Sequence, residues 1–322
     1  MLNYPIKFTP ILKEKIWGGD KLINLLHKNS KLNNIGESWE LSDVEGNISV
    51  VSNGSLKGKS LRELLIDHNS DLIGTKNYKR FGNNFPLLIK FIDAKQDLSV
   101  QVHPNDELSQ RRHNSFGKTE MWYILQADKD SRLILGFKEA ITPKRYVNLL
   151  ENKNVMSVLN DIYIKDGDAF FIETGTVHAI GAGIVLAEIQ QTSDITYRIY
   201  DFDRIDDHGK ERELHTELAV DALNFDDKTD AKRNYLKKVN VLNNIVSCKY
   251  FKTNYIPVIK ESVLDYSKID SFVIFMCVEG TAKITVSNRS ETIEFGETVL
   301  VPALVDSVLV ESEHCKLLEV TV

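Results

Sequence analysis

The chain has 322 residues, 42% hydrophobic and 27% charged, with a net charge of −6. This is a globular composition, neither disordered nor fibrous, and long enough for two domains or one core with an appended lobe. The negative balance disfavours nucleic acid as a partner, no apolar run approaches the roughly 18 residues of a membrane helix, and the opening MLNYPIKFTP lacks both parts of a signal peptide, so a cytoplasmic protein is expected.

In chain order, FTPILKEKIWGG predicts an extended strand ending at Gly18 and Gly19, and GDKLINLL one or two helical turns with Leu22, Leu25 and Leu26 on one side. ESWELSDV alternates as a strand does. Ser60 and Glu63 form a capping-box signature for a helix over LRELLIDH, with Leu61, Leu64 and Leu65 facing a core. In FPLLIKFI only Lys90 interrupts an apolar run. Either its ammonium snorkels to the surface or it lines a pocket.

In LSVQVH, Leu98, Val100 and Val102 fall on one side of a strand, and Ser99, Gln101 and His103 on the other. An amide and an imidazole two apart on a rigid element are spaced as two ligands of one ion. The alternative is an edge strand with a polar outer face. The polar segment NDELSQRRHNSFGKTE has the composition of a loop. In the strand GKTEMWYIL, Lys118, Glu120 and Trp122 share a face; a solvent-facing pair is the simple interpretation, but strands adjacent in sequence usually pair, which makes Glu120 a candidate third ligand. Thr142 and Pro143 start a helix carrying RYVNLL, and NVMSVLND predicts a second helical piece.

Strand patterning returns at IKDGDAFFI, with a turn at Gly167 and Asp168. Glycines 175, 181 and 183 flank His178, and backbone that can approach a ligand closely raises this histidine above a purely structural role. Glu188 and Gln190 share one strand face, and Thr196, Arg198 and Tyr200 another. Thr216 is the expected N-cap of a short helix in ELHTELAVDALNF, and DDKTDAKRN the expected linker. From about Tyr235 short β runs dominate. FGETVLVPALVDS there repeats DGDAFFIETGTVH, with Gly296 over Gly167, Glu297 over Asp168 and Ser307 over His178. The chain thus divides into a first region, 1–234, that carries the candidate ligands, and a C-terminal β-barrel unit, 235–322, that repeats the turn and strands without the histidine and so without a metal site.

Gln101, His103, Glu120 and His178 together offer two imidazoles, a carboxylate and an amide oxygen. Such ligands suit zinc, iron, cobalt or manganese, and the lack of thiolate argues against a structural zinc knot. Cys248, Cys277 and Cys315 are widely spaced and expected to stay reduced, while histidines 27, 68, 113, 208, 215 and 314 belong to the surface or the packing.

Taken together, LKEKIWGG, LSVQVHP, GKTEMWYIL, GTVHAIGAG and TYRIYDFDR, in this order, resemble the type I mannose-6-phosphate isomerases in their compact bacterial form. The resemblance implies a mainly β fold with a cupin-type β-jelly-roll core and a few short helices, holding one zinc ion on Gln101, His103, Glu120 and His178. It implies an active-site arginine at Arg198, and pocket positions at Glu188, Lys118, Ser99 and Lys90. The chain lacks room for the large helical insertion of the eukaryotic members, so no substrate contact from that insertion carries over.

The implied reaction interconverts mannose 6-phosphate and fructose 6-phosphate through a cis-enediol, with a proton carried between C2 and C1 by Glu188 or Lys118. Arg198 would hold the phosphate or stabilise the developing oxyanion, with Lys90 and Lys118 as further phosphate contacts. Two rival classes share the pattern: a metal-dependent oxygenase and a non-catalytic sugar-phosphate sensor. Gln101 as fourth ligand leaves fewer positions for oxygen, and Arg198 beside a full ligand set argues for turnover.

Overall fold

The computed structural model describes residues 2–205, 209–225 and 231–322. In chain order the strands are β1 (Ile11–Gly19), β2 (Ile35–Leu41), β3 (Asp43–Val44), β4 (Asn47–Ile48), β5 (Leu87–Ala94), β6 (Val100–Val102), β7 (Glu120–Ala127), β8 (Arg132–Phe137), β9 (Leu159–Tyr163), β10 (Ala169–Ile172), β11 (His178–Ile180), β12 (Ile184–Gln191), β13 (Tyr197–Tyr200), β14 (Lys232–Arg233), β15 (Asn243–Ser247), β16 (Lys252–Asp265), β17 (Val273–Val286), β18 (Arg289–Glu294), β19 (Thr298–Val301) and β20 (Ser307–Thr321). The helices are α1 (Lys21–Asn24), α2 (Leu61–Ile73), α3 (Thr75–Phe81), α4 (Asp106–His113), α5 (Pro143–Glu151) and α6 (Thr216–Ala222).

The fold is mainly β and layered. A seven-stranded sheet, β1-β2-β5-β12-β7-β10-β14, faces a five-stranded one, β13-β6-β11-β8-β9. Trp122, Ile124, Leu135, Phe170, Ile180 and Leu186 fill the gap between them. Behind the smaller sheet, Val100, Val102, Tyr197 and Ile199 pack with Tyr146 of α5 and Ala219 of α6. Behind the larger, Leu87, Ile89 and Phe91 of β5 share a core with Tyr255, Ile274 and Leu318 of the C-terminal sheet, β15-β16-β20-β17-β18 with β19 on β17. β5 is therefore buried on both faces, which is why its sequence is a run of apolar residues rather than an alternation.

Local signals explain the helices. α2 carries the capping box of Ser60 and Glu63, and Thr142 caps α5 by accepting from the Arg145 backbone N–H. Four segments depart from expectation. The polar stretch after His103 contains α4, capped by the Asn105 side chain and burying Leu108 and Ser109; a single inward apolar residue in two turns is too weak a stripe for composition to reveal. NVMSVLND gives a 3-10 turn over Val155–Val158 that runs straight into β9. Thr216 is the first residue of α6, whose N-cap is His215 without a side-chain cap. Lys232 and Arg233, inside the expected linker, pair with β10, while 226–230 and His208 lie outside the described residues. No helix among the described residues is long and apolar enough to cross a membrane.

Candidate active site

The polar face of β6 and the strands around it build the site. Gln101 pairs in register with His178 of β11 and Arg198 of β13, and β7 of the facing sheet brings Glu120. The ligand atoms of His103, Glu120 and His178, all buried, lie within 4.8 Å of one another. His178 Nε2 stands 3.1 Å from His103 Nε2 and 3.2 Å from the Gln101 amide nitrogen.

Each imidazole is fixed by its other nitrogen. His103 Nδ1 meets the Ile195 carbonyl and His178 Nδ1 the Thr176 carbonyl, both at 2.9 Å. A carbonyl only accepts, so each Nδ1 carries the proton and each Nε2 turns a lone pair inward. Burial lowers both imidazoles, His103 well below its ordinary range with Lys118 and His178 adding to the effect, and His178 to about 4. Both are neutral at pH 7, as metal ligands must be. The two Glu120 oxygens are buried and accept no well-formed hydrogen bond, although the Lys118 ammonium pairs with Oε2 at 2.8 Å and reaches His103 Nε2 at 3.0 Å. Burial pushes the Glu120 carboxyl up, against the pull of Lys118 and with help from Glu188. Four acceptors with too few donors fit a divalent cation, once the Gln101 amide turns its oxygen inward.

A cavity of about 450 Å³ opens beside this cluster, lined in part by Lys13, Lys15, Glu37, Trp39, Lys90, Ser99, Gln101, Lys118, Glu188, Arg198 and Arg212. All nine residues singled out in the sequence therefore meet in one place: Lys90, Ser99, Gln101, Lys118, Glu188 and Arg198 on the wall, and His103, Glu120 and His178 buried beside it against Gln101 and Lys118. Lys90 does not snorkel. It is buried, with Nζ 3.1 Å from Glu188 Oε2 and over the Trp39 ring. The other Glu188 oxygen accepts from Trp122 Nε1 at 2.9 Å. Burial alone would raise Glu188, but Lys90, Lys118 and the Trp122 N–H hold it well below the usual carboxylate range. Arg198 donates to the Glu213 carbonyl at 2.7 Å and keeps a buried Nε with no partner. His215 braces it, accepting from its backbone N–H. Gln190, opposite Glu120 in the register of β12 and β7, donates its amide to the Gln191 and Ser193 carbonyls.

Sequence reasoning missed Lys13, Lys15, Glu37, Trp39, Asp194 and Arg212, which share this wall. Alternation in LKEKIW and ESWE places Lys13 with Lys15, and Glu37 with Trp39, on common faces. What the pattern withholds is which face turns inward.

A family model described as "Phosphomannose isomerase type I, catalytic domain" matches residues 6–131, and one described as "Mannose-6-phosphate isomerase, cupin domain" matches 242–322. The chain is 35% identical over 305 residues to mannose-6-phosphate isomerase ManA of Bacillus subtilis, and 33% identical over 307 residues to a mannose-6-phosphate isomerase of Streptococcus mutans, covering 94% of each chain in both comparisons. A crystal structure of the mannose 6-phosphate isomerase from Bacillus subtilis superposes with a TM-score of 0.89 at 31% identity, covering 99% of this chain and 100% of that one. The likeness spans nearly the whole chain, the two inner sheets and the sheet behind them alike, and so the chain belongs to the type I phosphomannose isomerase family.

Proposed function

We propose that this enzyme interconverts D-mannose 6-phosphate and D-fructose 6-phosphate by way of a cis-enediol, with one zinc ion held by Gln101, His103, Glu120 and His178. The observation that carries the proposal is the pair of imidazoles, each fixed by a carbonyl and each turning a neutral Nε2 toward a buried, under-bonded carboxylate at the end of a cavity rich in cations. Tetrahedral zinc with Zn–N of about 2.0–2.1 Å separates two nitrogens by roughly 3.3 Å, close to the 3.1 Å found here. A divalent cation there supplies electrostatic stabilisation for negative charge on the sugar oxygens.

The chain's own residues do the rest. A base removes the C2 proton of the open-chain aldose while O1 gains one. The same base then returns a proton to C1 as the O2 proton leaves and the C2 carbonyl forms. Glu188, kept ionised by Lys90 and Trp122, is our candidate for that base, and Lys118, next to the cluster, is the competing one. Arg198 has a buried, unpaired N–H for the phosphate or for an oxyanion; Lys90, Lys118 and Ser99 line the same wall. We place the activity in the region 1–234, with 235–322 as a second unit, in a reducing cytoplasm that suits three unpaired cysteines.

The test is a coupled assay of mannose 6-phosphate conversion before and after chelation, with zinc added back. Activity lost with chelator and regained with zinc is expected. No turnover by protein carrying one equivalent of metal would overturn the proposal.

A further inference from the structure

The segment bearing Lys118 and Glu120 is held from behind by side chains that touch neither the cavity nor the cluster. Asp106, the first residue of α4, accepts from the Gly117 backbone N–H at 3.0 Å and from the Gln191 amide at 2.9 Å, both at Oδ1. Gln191 in turn accepts from the Thr119 backbone N–H at 3.0 Å. The backbone N–H groups of the residues before and after Lys118 are thus held by one carboxylate and one amide. Gly117 makes the approach feasible, since a Cβ there would stand 2.7 Å from the Asp106 nitrogen.

The second Asp106 oxygen accepts from Tyr250 at 2.7 Å, and Tyr250 belongs to the turn between β15 and β16 of the C-terminal sheet. That turn is fixed in its own right, because Arg80 of α3 donates to the Lys249 carbonyl at 3.1 Å and stacks near the Tyr250 ring. An unbroken chain of hydrogen bonds therefore runs from the C-terminal sheet through Tyr250 and Asp106 to the backbone on either side of Lys118.

We propose that Asp106 is a positioning residue for Lys118 and Glu120, and that Tyr250 makes the C-terminal unit part of the active site's support. The proposal rests on the isomerase reading for the roles of Lys118 and Glu120. Small displacements of a catalytic side chain cost large factors in rate, and supporting partners of metal ligands are worth about 10–100-fold. Asparagine at 106 can at best keep its oxygen at the Oδ1 position and turn its N–H₂ to the Tyr250 hydroxyl, so the bonds to Gly117 and Gln191 lose the negative charge that strengthens them.

Asp106→Asn and Tyr250→Phe are to be compared with the wild type in kcat and KM per bound metal, in Tm, and in the visible spectrum of the cobalt-loaded protein, which reads ligand geometry without turnover. For D106N, kcat should fall about tenfold, and for Y250F about threefold. KM should stay within about twofold, and the cobalt bands should shift in both. Should D106N fold poorly, the milder Y250F carries the test. A kcat per bound metal within twofold of wild type in both variants, or an unchanged cobalt spectrum, would overturn the proposal. If the wild type itself fails to turn over, the isomerase reading falls while the cobalt spectra still report on the positioning.

Discussion

Glu120 and Glu319 are both buried carboxylates on β-strands, and their neighbours give them opposite tasks. Glu120 stands among imidazoles and a lysine. Glu319 accepts from Asn254 at 2.6 Å, and burial, only partly offset by Asn254, Lys252 and Tyr266, pushes its carboxyl up to about 6. Raised from an ordinary 4.5 to about 6, the group favours the folded state while protonated, and that contribution is lost as pH rises through the folded value. The loss amounts to about 2 kcal/mol once pH is above both values. Glu319→Gln keeps the bond to Asn254 and removes the titration. Urea unfolding of both proteins at pH 4.5 and pH 7.5 should show the variant gaining about 1–2 kcal/mol over wild type between the two; a constant difference would show that Glu319 does not carry the effect.

At this scale the sequence was most legible where a polar side chain broke an apolar alternation. Ser99, Gln101 and His103 on one face of LSVQVH, and Glu120 on the next strand, stood out because the interior rarely accepts such groups without a purpose. Lys90 resisted the same argument, since a lysine in an apolar run reads equally as a snorkelling side chain. Glu188 and Trp39 are what keep it inside, and both come from other strands. Lys13 and Glu37 were invisible as site residues because an alternating charged strand is also what a solvent-facing strand looks like.

Among the elements, capping boxes and prolines marked α2 and α5, whereas α4 is defined by its Asn105 cap and by contacts that no local pattern encodes. β17 shows how much one residue can decide. Its pairing with β20 slips twice, on either side of Gly280, which sits at a φ of +74° with room for no side chain: a Cβ would lie 2.3 Å from the His314 carbonyl oxygen. Glycine both permits the left-handed backbone and lets the partner strand close over it. Gly280→Ala should therefore lose about 2–4 kcal/mol from backbone strain and overlap together, read as a lower urea midpoint at unchanged slope. A loss below about 1 kcal/mol would mean that the bulge relaxes.

For the whole molecule, the notable bond is the buried pair of Lys28 and Glu40. Nζ lies 2.7 Å from Glu40 Oε1 and donates to the Gly296 carbonyl at 2.6 Å, so one ammonium ties β2 to the C-terminal sheet. Ser38 donates to the same carboxylate oxygen at 2.5 Å, on the face of β2 opposite Glu37 and Trp39. Lys28→Met strands a buried charge and should cost about 3–5 kcal/mol, whereas Lys28→Met with Glu40→Leu should recover most of it. Equal losses in the single and double variants, measured by thermal or urea unfolding, would refute this account. The shared apolar core behind β5 makes the same point on a larger surface: the C-terminal sheet is packed as a layer against the larger inner sheet. That packing was not legible, because the residues that join the sheets lie far apart along the chain.

One such junction bears on how the protein comes into being. Ile6 and Leu300 exchange both backbone hydrogen bonds, at 2.8 and 2.9 Å, and Ile6 is fully buried. As a ribosome delivers the chain at roughly 5–20 residues per second, the segment around Ile6 must wait on the order of tens of seconds for its partner to emerge. Until then the outer face of the first sheet is bare, and the growing polypeptide depends on whatever shields that face in the cell.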